Sequence, residues 1–451
     1  MHPRLAAVTK AYDVRGRTPE QLDDGIVAAL GAAFADEVGI SDGRGRAVVG
    51  HDMRDTSPGF AAAFAAGVAS RGGSVVSIGL ASTDMLYAAS GQLDLPGVMI
   101  TASHNPAGYN GLKLCRAGAR PIGLETGLAA MAEVAGGLLD DPVDLTTAPE
   151  PERLDFLQAY ADQLVGLAPV AGRRLRVVVD AGNGMAGHTA RAVLDRIDVE
   201  VVPLYFELDG TFPNHDANPL DSSTLVDLQA AVREHGADLG LAFDGDADRC
   251  FVVDERAELV TPSAITALIA SRHLVQMPGA TILHNVICSR AVPEIIAEHG
   301  GTAVRTPVGH SLIKAEMART DAVFGGEHSG HFYFRDFYLA DSGMLAALHV
   351  MGALAEQSGP VSELMDQFSR YAASGEINST VDDAAVVTER IAEAYAAHDQ
   401  DRLDGLTVTA PTWWFNVRAS NTEPLLRLNV EGDDEAVMAS VRDDVLALVR
   451  R

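Results

Sequence analysis

A hydroxyl nucleophile beside an imidazole, and three carboxylates at alternating positions, are the two patterns in this chain that could do chemistry. The first lies in Thr101-Ala102-Ser103-His104-Asn105-Pro106, the second in Asp244-Gly245-Asp246-Ala247-Asp248-Arg249. No Gly-x-Ser-x-Gly elbow surrounds Ser103, so a hydrolase triad is not indicated, and taken alone the stretch also reads as a polar turn. The aspartates can converge on one hard cation through oxygen ligands. An EF-hand loop also opens Asp-x-Asp-x-Asp, and Glu255 falls where its twelfth residue would stand, but its obligatory glycine is replaced by Arg249. A site with few protein ligands and a phosphate partner suits Mg²⁺ better than Ca²⁺.

Both patterns need strands to carry them. Val98-Met99-Ile100 reads as a buried strand, which puts Ser103 beyond a strand end, where open α/β sheets bind ligands. Ala107 to Gly111 reads as a turn. Leu239 to Phe243 and Cys250 to Val253 read as strands on either side of the aspartates.

Three segments share one plan of strand, polar loop, helix, short turn and strand. They are Ala47 to Asp52, a helix from Ser57 to Arg71, and Ser74 to Leu80; Val177 to Val179, a helix to Arg196, and Val199 to Leu204; Ile282 to Asn285, a helix to His299, and Ala303 to Thr306. Alternation of this kind predicts an α/β protein of three similar domains with mainly parallel, doubly wound sheets. The last segment differs. A strand (Ile377 to Val381), a helix (Ala384 to His398), three strands and a helix (Asp433 to Arg450) predict a smaller C-terminal α+β domain. Acidic, proline-bearing and turn-rich stretches place the domains at residues 1–148, 149–254, 255–368 and 369–451. Gly182, Gly184 and Gly187 fit the spacing of a dinucleotide fingerprint, but no acidic residue in the right setting follows them, and a nucleotide is not the preferred reading.

Composition sets the outer limits. A chain of 451 residues with 47% hydrophobic and 21% charged residues can fold several cores. The formal charge of −28 argues against nucleic acid or an anionic membrane as partner. No apolar run approaches a membrane span and the start lacks a signal-peptide core, so a cytoplasmic protein is expected. Three dispersed cysteines, Cys115, Cys250 and Cys288, fit reduced thiols. Only three lysines occur, Lys10, Lys113 and Lys314; the other basic residues are arginines. A lysine can lose its proton where its surroundings lower its pKa, which arginine does not do. In Leu112-Lys113-Leu114, strand alternation turns Lys113 away from its apolar neighbours and toward the side open to Ser103.

The ordered set of loops resembles the α-D-phosphohexomutase family over essentially the whole chain. The serine loop and the aspartate loop match its phosphoserine and metal loops. Tyr12-Asp13-Val14-Arg15-Gly16 matches its amino-terminal signature, Gly326-Glu327-His328-Ser329-Gly330-His331 its sugar loop, and Arg418-Ala419-Ser420-Asn421-Thr422-Glu423-Pro424 its phosphate-binding loop. The resemblance implies four domains with the active site in the central cleft. It implies phosphorylation of Ser103, with Mg²⁺ on Asp244, Asp246, Asp248 and the serine phosphate.

It further implies catalytic parts for His104, Lys113, Arg249 and His331, with Lys113 or His331 handling a hydroxyl proton. Tyr12, Arg15, His310, Lys314, Glu327, Ser329, Arg418, Ser420, Asn421 and Thr422 are the expected substrate contacts. A hexose 1,6-bisphosphate serves as intermediate and activator. The sugar loop resembles the mannose/glucose form, so interconversion of mannose 6-phosphate and mannose 1-phosphate is expected, by a monomer or weak homodimer. A bifunctional mannose/glucose enzyme is the alternative. A Mg²⁺-dependent sugar phosphatase and a silent sugar-phosphate binder stand behind it. In some bifunctional relatives a lysine stands where this chain has Ile287, before Cys288-Ser289-Arg290, which points to narrower specificity.

Overall fold

The computed structural model describes every residue except 42, 44, 141, 142, 146–148, 420–424 and 451, and for residues 310 and 311 the backbone course alone. The described residues form two compact units, Met1–Val260 with Ser329–Leu364, and Thr261–His328 with Met365–Arg451.

In the first unit the predicted strand–helix–strand segments are present. Arg46–His51, the helix Ser57–Ser70 and Ser74–Leu80 form one, and Leu175–Asp180, the helix Ala186–Leu194 and Val199–Leu204 the next. Each sheet is parallel at its centre and turns antiparallel toward one side. In the larger sheet Arg46–His51 lies between Ser74–Leu80 and Gly97–Ile100, both parallel to it. Tyr109–Arg116 then returns antiparallel beside Gly97–Ile100, and Val14–Arg17 pairs antiparallel beyond it. In the second sheet Leu239–Phe243 runs parallel to Leu175–Asp180, and Cys250–Val253 returns antiparallel beside it.

These returns decide where the loops go. Thr101 to Gly108 and Asp244 to Arg249 are each the connection from a parallel strand's carboxyl end to an antiparallel neighbour. Purely parallel strands would need a long crossover there, usually a helix, that would carry the chain away.

Asn110 and Gly111 are not a turn, as their sequence suggests, but the start of the strand Tyr109–Arg116, paired with Gly16 and Arg15. Asn110 is buried and spends its side-chain amide on Thr56 Oγ1 and Ser57 Oγ, at 2.8 and 2.9 Å. A Cβ on Gly111 would lie 2.2 Å from the Val14 carbonyl oxygen, so glycine here answers to close strand approach.

In the second unit Thr281–Asn285 lies parallel between Thr302–Thr306 and Phe324–Gly326. The carboxyl-terminal sheet is wholly antiparallel, with Ala372–Thr380, Leu425–Gly432, Trp413–Ala419, Leu406–Ala410 and Asp399–Asp401 in spatial order. It has one short strand more than expected, Asp399–Asp401, because the predicted helix ends at Ala394. Helices Ala384–Ala394 and Glu435–Val449 bury Val387, Ile391, Val441 and Val445 against Phe415, Val417 and Leu428. Among the described residues no helix is long and apolar enough to cross a membrane.

Candidate active site

In the first unit the serine and aspartate loops are in direct contact. Ser103 Oγ donates to Asp244 Oδ2 at 2.8 Å and lies 3.2 Å from His104 Nδ1. Ser103 adopts a left-handed backbone, with φ of +51°, and its N–H is held by Thr101 Oγ1 at 2.9 Å. Such a conformation in a non-glycine residue persists only where its surroundings impose it. Arg15 reaches the same loop, donating to Asn105 Oδ1 and to Asp13 Oδ2, each at 2.5 Å.

The two loops can meet this closely because of a glycine. A Cβ on Gly245 would sit 2.4 Å from the Ser103 carbonyl oxygen. Of the glycines that mimicked a nucleotide fingerprint, Gly184 serves the same packing, while Gly187 packs against a different segment. A Cβ on Gly184 would be 2.7 Å from the Gly245 carbonyl oxygen, and one on Gly187 would be 2.2 Å from that of Phe206. Gly245→Ala is expected to lower kcat by about 100-fold, since it must push Ser103 and the aspartates apart. Steady-state kinetics on the variant check this; wild-type kcat would show that the loops tolerate separation.

Asp244, Asp246 and Asp248 are all buried, and one oxygen from each lies within 4.8 Å of the others. Lys113 extends between two of them, with Nζ 2.6 Å from Asp246 Oδ2 and 2.5 Å from Asp248 Oδ2. The Arg249 Nε donates to Asp244 Oδ2 at 2.9 Å. The strand alternation therefore does turn Lys113 toward the serine loop's partners.

Its electrostatics run opposite to the expected loss of a proton. Burial alone would lower the Lys113 pKa, but Asp246 and Asp248 outweigh it and hold the ammonium charged, well above its ordinary value. In return, Lys113 overcomes the burial of Asp246 and holds that carboxyl well below the usual range. Burial pushes Asp244 up to about 7; Arg249 opposes this, and the charges of Asp248 and Asp246 add to it. Burial and the cations Arg249 and Arg15 keep the His104 imidazole neutral, well below its ordinary pKa.

The donor set fits a divalent cation. Oδ1 of Asp246 and Oδ1 of Asp248 are buried without a hydrogen-bond partner, an arrangement that is costly unless a cation meets them. His331 closes this side. Its Nε2 stands 3.7 Å from Asp248 Oδ1, its Nδ1 lies 2.9 Å from Ser329 Oγ, and its backbone bridges to Arg249. The calcium-hand alternative also fails on geometry: Glu255 accepts from Ser362 instead of turning into the loop. Cys250 is a buried strand thiol, as expected, and burial raises its pKa.

Tyr12 sits half-buried in the bend before the strand Val14–Arg17. In the second unit, Glu327 is buried and accepts from Gly309 N at 3.1 Å and from Asn285 Nδ2 at 3.3 Å. Lys314 is buried on the helix His310–Thr320. Arg418 is not a loop residue as expected; it belongs to the strand Trp413–Ala419, where Glu376 Oε2 lies 3.5 Å from its guanidinium. Ser420, Asn421, Thr422 and the side chain of His310 lie outside the described residues. Ile287 is buried and shares a cavity of about 60 Å³ with His328, Ser263 and Ser289. The slot where this chain departs from some relatives thus borders the sugar loop.

Sequence reasoning missed several supporting groups. Thr83 caps the aspartate loop, donating through Oγ1 to Asp246 Oδ2 at 2.5 Å and through its N–H to the Asp246 carbonyl at 3.0 Å. Asp84, pushed up to about 6 by burial, gathers Ser82, Tyr160 and Ser342 behind it. Asp341 has a carboxylate oxygen within 4.8 Å of Asp248 and of the His331 imidazole, close enough for the three to share a cation. No motif marks these residues; Ser82-Thr83-Asp84 reads only as a helix start.

Comparison with known proteins covers the chain from end to end. The models of phosphoglucomutase/phosphomannomutase alpha/beta/alpha domains I, II and III match residues 6–135, 155–257 and 261–371, and the C-terminal domain of that family matches 376–448. A phosphomannomutase of Escherichia coli is 40% identical over 453 residues, spanning 98% of each protein. One from Salmonella typhimurium is 38% identical over 447 residues, spanning 97% of each. The crystal structure of a phosphoglucomutase/phosphomannomutase family protein from Burkholderia thailandensis matches with a TM-score of 0.86 at 30% identity, over 100% of this chain and 98% of that one.

Proposed function

Since the chain belongs to the phosphoglucomutase/phosphomannomutase family, we propose that it is a phosphomannomutase, interconverting mannose 6-phosphate and mannose 1-phosphate through phospho-Ser103 and a hexose 1,6-bisphosphate. The observation that carries this reading is the contact of the Ser103 hydroxyl, at 2.8 Å, with a cluster of three buried aspartates.

In the proposed half-reaction, the bond from phosphorus to Ser103 Oγ breaks and a bond to a sugar hydroxyl oxygen forms. The hydroxyl proton passes to His331. The Lys113 ammonium, held charged by Asp246 and Asp248, gives a proton to the departing Oγ. Once the bisphosphate has turned over, the second half-reaction reverses both transfers and returns the other phosphoryl group to Ser103. Arg15, Arg249 and His104 bound the space where phosphate charge gathers, and positioning and electrostatics are the main catalytic terms.

Mg²⁺ is the ion this reading places on Asp244, Asp246, Asp248 and the serine phosphate, where it would offset the charge of the transferring group. Glu327 and Ser329 are assigned to sugar hydroxyls. Tyr12, Arg15, His310, Lys314, Arg418, Ser420, Asn421 and Thr422 are assigned to the substrate's phosphate and ring. A hexose 1,6-bisphosphate activator, a cytoplasmic location, a monomer or weak homodimer, and domain edges near 148, 254 and 368 complete the reading; limited proteolysis tests the edges.

The deciding measurement is kcat/KM on mannose, glucose and glucosamine 1-phosphates with Mg²⁺ and a hexose bisphosphate, repeated in chelator. The expected result is strong mannose preference, lost in chelator and restored by Mg²⁺. Equal glucose turnover would show that Ile287 does not narrow specificity. Phosphate release without an isomer product would replace the mutase by a phosphatase, and binding without turnover would replace it by a binder.

A further inference from the structure

We propose that Arg54 is a positioning residue for the phosphoryl carrier, locking the Ser103 loop into its left-handed conformation through the loop's own carbonyl groups. Arg54 lies between the strand Arg46–His51 and the helix Ser57–Ser70, and is only 2% exposed. Its guanidinium has five N–H donors, and all five are used. Nη2 donates to the carbonyls of Ser103, at 2.8 Å, and Asn105, at 2.6 Å. Nη1 donates to those of Pro106 and Tyr109, each at 2.9 Å. Nε donates to Asp52 Oδ2 at 3.2 Å.

The anchor is itself fixed. Asp52 is fully buried and accepts from Arg54 N at 3.0 Å and from Ser57 Oγ at 2.5 Å, so it supplies the counter-charge without moving. The Phe212 ring lies 5.1 Å from the guanidinium carbon, and a Cβ on Gly210 would be 2.7 Å from Arg54 Cα. The guanidinium is thus held on several sides while its flat fork faces the loop.

Four carbonyls turned toward one cation define the path of residues 103–109. They make the strained backbone of Ser103 the low-energy one there, since left-handed geometry otherwise disfavours a residue with a Cβ. Arg54 does not touch the transferred group; it acts through where it holds the serine. Lysine keeps the charge but has three donors at one point and cannot reproduce the fork.

The inference rests on Ser103 as phosphoryl carrier. Arg54→Lys is therefore tested by hydrogen exchange as well as kinetics. The expected result is faster exchange of the amides of residues 103–109, with the remainder of the protein unchanged, and a kcat lower by about 100-fold with KM nearly unchanged. Added guanidinium should raise the kcat of Arg54→Ala several-fold. Wild-type kcat in Arg54→Lys, or a kcat loss matching the loss of folded protein with loop exchange unaltered, overturns the proposal.

If Arg54→Lys does not fold, Asp52→Asn decides, because it keeps the shape and removes the anchoring charge. Faster loop exchange with a lower kcat supports the lock, and unaltered loop exchange overturns it. Should the wild-type protein isomerise no sugar phosphate, the mutase reading falls, while loop exchange in Arg54→Lys still decides whether the lock exists.

Discussion

Ser103→Ala is expected to abolish isomerisation, by at least about 10⁴-fold in kcat, because it removes the proposed carrier oxygen. The protein should stay folded. The substitution removes one oxygen and leaves the loop's carbonyls in place, and alanine meets the same left-handed strain as serine. Asp244 loses its donor at 2.8 Å, but it keeps the Arg249 N–H groups at 3.2 and 2.9 Å. The stability cost should therefore be about 1 kcal/mol, that of one hydrogen bond. Kinetics, thermal melting and mass measurement after incubation with a hexose bisphosphate check this together. Turnover near wild type, or a phosphate still carried on the same peptide, would falsify Ser103 as carrier.

Lys113→Arg is the second large effect, with an expected kcat loss of about 100-fold or more although the charge is retained. Lys113 is 7% exposed, and its ammonium is wedged between two carboxylate oxygens at 2.6 and 2.5 Å. The planar guanidinium cannot occupy that gap without displacing an aspartate, and it does not give up a proton. Lys113→Met separates charge from proton transfer. It leaves Asp246 and Asp248 buried without their cation, which costs about 3–5 kcal/mol when one partner of a buried pair is removed. Mg²⁺ should recover part of that loss in a thermal melt, because the same oxygens would then face a cation, yet turnover should not return. Normal activity in Lys113→Arg would reduce Lys113 to an electrostatic anchor.

Much of this site is legible in the amino-acid sequence. Strand–loop–strand patterning locates the Ser103 and Asp244 loops, and Arg249 at the glycine position excludes the calcium hand. Strand alternation orients Lys113 correctly. Its protonation is not legible there, because the two carboxylates that hold it charged lie 133 and 135 positions away. Asn110-Gly111 has a turn's composition, and only the neighbouring strand Val14–Arg17 shows that it belongs to a sheet.

What the sequence determined by itself is therefore local. Short-range rules of period, capping and glycine placement set the strand–helix–strand segments, the loop positions and the residues equipped for phosphoryl chemistry. The tertiary structure decided which of these meet. Ser103 bonds to a residue 141 positions on, and the fork of Arg54 closes on carbonyls about 50 positions away. Backbone carbonyls carry no side-chain signature, and a buried charge takes its pKa from whatever charge and solvent surround it. Those surroundings exist only once the antiparallel returns have brought the two loops together.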